Sequence, residues 1–550
     1  MTGTIQTYGR FDPVFADRAD WSLPTVLRAN AERYGDKVFL ESPSEGLAFT
    51  YRQMLDDAER VAGALLARGL APGDRMLIMS DNRADYVRAW FGAALAGIAE
   101  VPLNTAYSGR FLAHQVSTTA PRCAVIEPQF AERFVAERDA CASIATVVVL
   151  DAEGRDEALA ALAGAGWATT TFEELLAAEP ATELPTIAAR DLASVFFTSG
   201  TTGLSKGVMM AHAHMHFFAE EWAHITRLTS DDIYFTCLPL FHGNAQFVTV
   251  YPALVAGAKT VIQRRFSASS WVGWLREYGA TVTNLMGVMM EFLWKQPPTA
   301  DDAAHRLRCV NATPTAWTLE QQFKERFGVE TIVEGFGTTE ISSPIATPYG
   351  ADRPTGACGL ALDQWYDVTL LDPDTDDEVA AGEIGELAVR PKVPWITTLG
   401  YYGMPEKTVE ALRNVWFRTG DTMRRDEDGW FFFADRIKDA LRRRGENISS
   451  YEVELAVLEH DGVRECAVIG VPADERGGEE EVMAVVIRAP GSQVDAAELW
   501  EFCDGRMPAF AVPRYIRFVD ELPKTPTQRV EKAKLRAEGV GATTADRDAS

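Results

Sequence analysis

Thr198-Ser199-Gly200-Thr201-Thr202-Gly203-Leu204-Ser205-Lys206-Gly207 follows directly on the β-type run Ala193-Ser194-Val195-Phe196-Phe197. Three glycines let backbone N–H groups approach an anion closely. The hydroxyls of Thr198, Ser199, Thr201, Thr202 and Ser205 add donors, and Lys206 brings positive charge. A loop of this make-up suits a polyphosphate. The GxxxxGK[ST] spacing of a Walker A loop is absent, so the mechanics of P-loop nucleoside triphosphatases do not carry over. The residues after the loop, 208–225, are expected to form a helix with Phe217, Phe218 and Trp222 on its apolar side.

Working outward, helical patterns alternate with short apolar strands up to about residue 190. One such strand, 75–79, follows the turn Ala71-Pro72-Gly73-Asp74. The alternation resumes from 192 to about 301, with strands expected at 233–238 and 259–262. This pattern predicts an α/β fold with a largely parallel sheet. The Ala- and Glu-rich stretch 151–184 reads as helix and surface connection without a strand. From residue 368 the texture turns β-rich. Strands at 368–371 and 386–389 flank the acidic run Asp372-Pro373-Asp374-Thr375-Asp376-Asp377-Glu378, read as a solvated hairpin tip because calcium-loop spacing is lacking. A charged segment, 435–444, follows the aromatic strand 430–433, and a βαβ-like alternation over 451–459, 465–471 and 481–487 comes next. The expected organisation is a domain over residues 1–434, a second over 435–536, and a tail, 537–550, that lacks apolar anchors and reads as disordered.

The chain has 550 residues, enough for two to four domains and a large core without staples. Lys plus Arg number 53 against 79 Asp plus Glu, a net charge of −26 that argues against nucleic acid and anionic lipid surfaces as partners. The seven cysteines form no CxxC pair, which fits a reducing compartment. Residues 1–21 lack a basic segment followed by an apolar run, and no stretch approaches 18 consecutive apolar residues. A soluble, cytoplasmic protein without an integral membrane segment is expected.

The 198–207 string closely resembles the phosphate loop of the adenylate-forming superfamily, which includes acyl-CoA synthetases, nonribosomal peptide adenylation domains and firefly-type luciferases. Further stretches resemble that family's motifs in its order. They are Pro239-Leu240-Phe241-His242-Gly243, Asn311-Ala312-Thr313-Pro314, Glu334-Gly335-Phe336-Gly337-Thr338-Thr339-Glu340, Arg418-Thr419-Gly420-Asp421 and Asp435-Arg436-Ile437-Lys438-Asp439. The resemblance implies a large multi-subdomain α/β adenylating domain plus a small mobile α+β C-terminal lid.

It also implies roles. Phe336 would stack on adenine, with Thr313, Glu334, Gly335, Gly337 and Thr338 around the nucleotide, and Thr339 would contact the α-phosphate. Glu340 would bind magnesium. Asp421 would accept hydrogen bonds from the ribose hydroxyls, with Arg436 nearby and Lys438 as the pivot of the lid. His242 would lie beside the acyl pocket, for which Trp222, Phe241, Phe247, Met286 and Met289 are candidates by neighbourhood; an aromatic and Met-rich lining would admit an aryl or medium acyl group. The run Arg442-Arg443-Arg444-Gly445-Glu446-Asn447-Ile448-Ser449-Ser450-Tyr451-Glu452-Val453-Glu454 looks most like the crotonobetaine and carnitine CoA ligase branch, with Arg443, Arg444 and Gly445 meeting CoA. The implied cofactors are ATP and magnesium, with CoA as co-substrate. The implied partner is a small carboxylic acid, and a homodimer is left open.

One position departs from the family. Where it has Pro-Lys-Thr-x-x-Gly-Lys, this chain reads Pro523-Lys524-Thr525-Pro526-Thr527-Gln528-Arg529. Arg529 keeps the positive charge but presents a bulkier planar fork than an ammonium. Three readings stay open. Arg529 replaces the lysine in a working acyl-CoA ligase; Lys532 or Lys534 supplies the charge after a register change; or the activated oxyanion is not an ordinary carboxylate, as in ATP-dependent diazotases that activate nitrite for an aryl amine. A catalytically silent AMP-binding member is a further alternative. His212, His214 and His216 invite a metal site, but packing within the expected helix is favoured.

Overall fold

The computed structural model describes residues 6–549 apart from 182, 199–204, 437–440, 444–445, 449, 473–479, 505, 508, 510, 526–528 and 542. Two seven-stranded, mostly parallel sheets come from the chain up to residue 333. One has the order Thr331–Val333, Cys309–Ala312, Val282–Leu285, Ile233–Thr236, Lys259–Ile262, Val38–Ser42, Leu47–Thr50. The other runs Ala168–Thr171, Thr146–Val149, Cys123–Ile126, Arg75–Met79, Ala99–Pro102, Leu192–Thr198, Lys206–Ala211. Their central strands are buried at nearly every position, as expected of sheets covered on both faces. Each ends in one antiparallel edge strand.

A third seven-stranded sheet is antiparallel: Gly335–Thr338, Ser342–Ala346, Ala357–Ala361, Phe431–Arg436, Phe417–Arg425, Ile384–Pro391, Tyr366–Leu371. Beyond it lie the two-stranded pair Leu441–Arg443 with Glu446–Ile448, and a four-stranded sheet of Val463–Pro472, Glu480–Arg488, Tyr515–Phe518 and Ala545–Asp546.

The helix His212–Ile225 sits at the centre. Of its residues only His224 is not buried, so it is a core helix rather than an amphipathic one. Some of its polar groups are used internally, whereas both ring nitrogens of His214 are buried without a hydrogen-bond partner among the described residues. His216 Nε2 lies 3.1 Å from Glu220 Oε1, and Glu220 accepts the backbone N–H groups of Val14 and Phe15 at 2.9 and 3.0 Å, pinning the N-terminal arm. His212, His214 and His216 are all buried in this helix, and the described residues contain no cluster of three or more metal-ligating side chains. No helix among the described residues is long and apolar enough to cross a membrane.

Four expectations are corrected. The helix predicted over 208–225 begins only at His212, because Lys206–Ala211 pairs as a strand with Leu192–Thr198. The stretch 151–184 does contain a strand, Ala168–Thr171, a short polar edge that pairs in parallel with Thr146–Val149. In the C-terminal region Val463–Pro472 and Glu480–Arg488 form an antiparallel hairpin; the parallel partner of Glu480–Arg488 is Tyr515–Phe518, reached through the helix Ala496–Cys503. Lastly, the tail is ordered by charge instead of apolar burial. Ala545–Asp546 adds a strand to Tyr515–Phe518, Arg514 grips Asp546 with contacts of 3.0 and 3.1 Å, and Arg547 holds Asp504 at 2.8 Å.

Candidate active site

The described ends of the phosphate-loop sequence lie on two antiparallel strands, Leu192–Thr198 and Lys206–Ala211. Thr198 stands opposite Lys206 and Phe197 opposite Gly207. Ser199, Gly200, Thr201, Thr202 and Gly203 lie outside the described residues. No helix N-terminus follows the loop, so attraction for an anion there has to come from backbone N–H groups, hydroxyls and Lys206. At Gly207 a Cβ would stand 2.8 Å from Val195 Cγ1, so the hairpin closes only on glycine.

The Lys206 ammonium rests over the ring of Tyr401, 4.0 Å from its centroid. The Tyr401 hydroxyl donates to Glu340 Oε1 at 2.9 Å. Phosphate-side cation and candidate magnesium carboxylate thus share one neighbour, which the motif reading missed. The segment around Tyr401 clasps both partners through backbone bonds: Met209 N–H to Gly400 O, Tyr402 N–H to Gly207 O and Thr398 N–H to Glu340 O, at 2.7–2.9 Å.

Glu334 to Glu340 form the strand Gly335–Thr338 and the turn into Ser342–Ala346. A Cβ on Gly337 would fall 1.7 Å from the Ser342 carbonyl oxygen, and one on Gly335 3.0 Å from Trp222 Cζ2. Both glycines are steric necessities. Phe336 is half-buried and stacks on Phe433 at 6.2 Å, and Phe433 meets the edge of Tyr451 at 5.5 Å. Glu334 is buried and held by Arg353 Nη1 at 2.6 Å, while Arg353 Nη2 reaches Glu320 at 2.6 Å. Thr338 and Thr339 are half-buried beside Glu340. Thr313 donates to Asn311 Oδ1 at 3.3 Å.

Asp421 is buried in the strand Phe417–Arg425, opposite Arg436, and its N–H bonds Thr419 Oγ1 at 3.1 Å. The preceding Gly420 has φ +72° and donates its N–H to Glu386 Oε1 at 2.9 Å. Glu386 also accepts from Arg418 Nε at 2.7 Å, and Arg418 in turn contacts Asp376. The acidic hairpin tip is therefore only partly solvated: Asp376 is tied to Arg413, Asn414 and Arg418 and braces the loop that presents Asp421. The Arg436 side chain, Lys438, Arg444 and Gly445 lie outside the described residues.

His242 keeps part of its surface accessible although protein atoms are dense around its ring. Its Nδ1 accepts the Asn244 backbone N–H at 3.2 Å, so the neutral ring carries its proton on Nε2. Crowding by surrounding protein, with the positive charge of Arg529, pushes the imidazole down to about 4. Arg529 thus projects its charge onto the acyl-side histidine. Its own loop is closed by Thr525 N–H to Arg529 O at 2.7 Å and Arg529 N–H to Thr525 Oγ1 at 3.1 Å. Lys532 is committed to Glu454 at 2.7 Å and Ser450 Oγ at 2.5 Å, and Lys534 to Glu531. In this arrangement both lysines pair with acids of their own region.

The sequence pattern of the AMP-binding enzyme family matches residues 27–402, and that of the AMP-binding enzyme C-terminal domain matches residues 452–529. The chain belongs to the AMP-binding enzyme family. It is an acid–thiol ligase of the AMP-forming acyl-CoA synthetase type. A crotonobetaine/carnitine–CoA ligase of Salmonella paratyphi A is 31% identical over 518 residues, 92% of this chain and 97% of the relative. Among solved structures, ATP-bound MatB from Rhodopseudomonas palustris matches with a TM-score of 0.82 at 28% identity, covering 94% of this chain and 98% of that one. An anthranilate CoA ligase in complex with anthranoyl-AMP matches with a TM-score of 0.83 at 25% identity, covering 94% and 97%.

Within this acyl-CoA synthetase, the candidate acyl and CoA residues divide sharply. Phe241 and Met286 are half-buried at the cleft. Phe247 is fully buried against Phe196 at 4.9 Å and belongs to the core, as does Met289 at 3% exposure. Trp222 lies behind the nucleotide hairpin, under Gly335, with its Nε1–H donated to Ser343 Oγ at 3.1 Å. Arg443 is turned inward, paired with Glu481 at 2.6 Å and donating to Val512 O at 3.2 Å, so this arrangement does not offer it to a phosphate. Sequence reasoning also missed Asn244 and Asn284. Asn284 Nδ2 donates to Asn244 Oδ1 at 2.5 Å and to Thr249 Oγ1 at 2.8 Å, while its own Oδ1 is buried without a partner. These side chains meet only through the fold, in register beside Asn311.

Proposed function

We propose that this chain joins a compact carboxylic acid, aryl or medium acyl, to AMP and passes the acyl group to the thiol of CoA. In the first step a carboxylate oxygen attacks the α-phosphorus of ATP and the bond to pyrophosphate breaks. In the second the CoA thiol, losing its proton, attacks the acyl carbon and the bond to AMP breaks. The positive charge of Arg529 felt at His242 is the observation that carries this reading: it supports a cation from the C-terminal region acting on the carboxylate on the side where His242 stands. Carboxylate and α-phosphate repel each other, so bringing them in line needs such a cation on one side and Lys206 on the other.

Phe336 and Phe433 would form the adenine shelf, Asp421 would accept the ribose hydroxyls, and Thr339 would contact the α-phosphate. Glu340 fits magnesium, a hard cation that takes one or two carboxylates plus substrate phosphates. Its Oε1 is engaged by Tyr401 and Oε2 remains for the ion. When bound, the ion would offset charge building on the phosphates. Residues 1–434 would form the adenylating body and 435–536 a lid pivoting at Lys438, with the 442–448 segment meeting CoA after rotation.

Asn284 favours an acid that carries a hydrogen-bond donor, an amino or hydroxyl group, because its buried Oδ1 lacks one. The test is ATP–pyrophosphate exchange with a panel of aryl and medium-chain acids, paired with and without amino or hydroxyl substituents, followed by CoA-dependent thioester formation. Exchange led by a substituted compact acid, with thioester as product, is expected. Absence of exchange with every acid, alongside AMP formation from nitrite and an aryl amine, would overturn the reading.

A further inference from the structure

Lys206 and Glu340 carry opposite charges and both contact the same side chain. What stands between them is Tyr401. It is 4% exposed, its ring face lies under the Lys206 ammonium at 4.0 Å, and its hydroxyl donates to Glu340 Oε1 at 2.9 Å. The side chain has little freedom to leave. Its backbone pairs with Val208 in the hairpin that carries Lys206, its N–H bonds Thr408 Oγ1 at 2.9 Å, and the preceding Gly400 has φ +112° with no room for a Cβ, which would fall 2.7 Å from Thr408 Cγ2. The same segment bonds Glu340 O through Thr398 N–H. Hairpin, tyrosine and carboxylate are fixed as one unit.

We propose that Tyr401 is a positioning residue for nucleotide binding, a spacer whose ring holds the Lys206 ammonium and whose hydroxyl fixes the Glu340 carboxylate, keeping the two from collapsing onto each other. The two functions sit on different parts of one side chain. The ring contributes a cation–π contact; the hydroxyl contributes a hydrogen bond to a charged acceptor, stronger than a neutral one. Tyr401→Phe removes the second and keeps the first, whereas Tyr401→Leu removes both.

The proposal rests on the roles given above to Lys206 and Glu340, and the experiment separates the two. Binding of a non-hydrolysable ATP analogue is measured by calorimetry as a function of magnesium concentration, with thermal unfolding recorded for every variant. For Tyr401→Phe the magnesium concentration giving half-maximal enhancement of binding is expected to rise by roughly tenfold, while magnesium-free nucleotide affinity stays within about twofold of the parent. Tyr401→Leu is expected to lose magnesium-free affinity as well, by about fivefold. Glu340→Gln serves as the reference: if it leaves the magnesium requirement unchanged, the reading of Glu340 fails. If Glu340→Gln raises the requirement and Tyr401→Phe does not, or if Phe and Leu behave alike at equal thermal stability, the spacer role of Tyr401 is overturned.

Discussion

Replacing Arg529 by alanine removes a charged group of the C-terminal region whose field is felt at His242. Arg529 is exposed and water screens it, so its value at rest is small. It gains leverage only when a carboxylate and an α-phosphate close the cleft around it. A preorganised donor to charge developing in such a site is worth about 10²–10³ in rate, or roughly 3–4 kcal/mol. Arg529→Ala should therefore slow ATP–pyrophosphate exchange by about 10²–10³-fold. Thioester formation from preformed acyl-AMP should change less than about threefold, because that step breaks a bond to AMP and needs no carboxylate held against a phosphate. Arg529→Lys, which restores the charge without the fork, should recover most of the exchange rate, to within roughly tenfold of the parent. The substitution has a second readout. The imidazole of His242 is held down first by crowding and then by the Arg529 charge, so removing the guanidinium should move its titration upward from about 4, visible by NMR. Equal loss in both half-reactions, or an unmoved histidine titration, would refute the assignment of Arg529 to the carboxylate side of the cleft.

Three further outcomes follow from buried geometry. Burial pushes Glu221 up to about 8, against hydrogen bonds from Tyr366 and Ser343; the folded chain keeps a proton that the unfolded chain releases above about 4.5. Stability should consequently fall as pH rises from 4.5 to 8, by up to ~1.4 kcal/mol per unit, and Glu221→Gln should flatten the dependence of thermal midpoint on pH; an unchanged slope would remove Glu221 as its source. Gly337→Ala sets a Cβ 1.7 Å from the Ser342 carbonyl and should abolish detectable AMP binding in calorimetry, with about 2–3 kcal/mol of stability lost; near-parental binding would contradict the close approach. Arg353→Ala leaves the buried Glu334 without its cation, so denaturant unfolding should show about 3–5 kcal/mol of destabilisation; a change under ~1 kcal/mol would mean the pair is not load-sharing.

The parallel architecture was readable from alternating apolar runs because strands such as Cys123–Ile126 are buried at every position and carry no charged or amide side chain. What escaped is instructive in its physics. Ala168–Thr171 is an edge strand of one alanine and three threonines, half of it accessible, with no apolar run to betray it. The helix over 208–225 was placed four residues early because Val208 to Ala211 suit either period; pairing with a distant-facing strand decided the matter. The tail looked disordered because apolar anchors were sought, whereas Asp546 and Arg547 are anchored by Arg514 and Asp504, some 30 to 40 residues away. Motif residues such as Glu340 and Asp421 were found by local strings. Their braces were not: Tyr401, Arg353 and Glu386 lie 61, 19 and 34 residues from the groups they hold, a separation at which no spacing rule operates.

The charge of the chain gives these braces a common purpose. At a net −26, a protein that binds a nucleotide triphosphate and an organic acid must prevent its cations from being consumed by its own carboxylates. Many are consumed: Arg443 by Glu481, Lys532 by Glu454, Lys534 by Glu531, and Arg418 by Glu386 and Asp376. Lys206 and Arg529 each have, in addition to any such partner, a neighbour that leaves a cation's charge uncancelled. The first has its ammonium on an aromatic face, a partner that attracts a cation without cancelling its charge. The second lies within electrostatic range of a histidine kept neutral by crowding and by the Arg529 charge itself. Placing a carboxylate beside either should quench it. Tyr401→Glu would set an anion against Lys206, and His242→Glu another against Arg529; each should depress nucleotide-dependent exchange more than the corresponding Tyr401→Phe or His242→Gln. The opposite order would show that cation strength in this cleft is not what its neighbours are selected to protect.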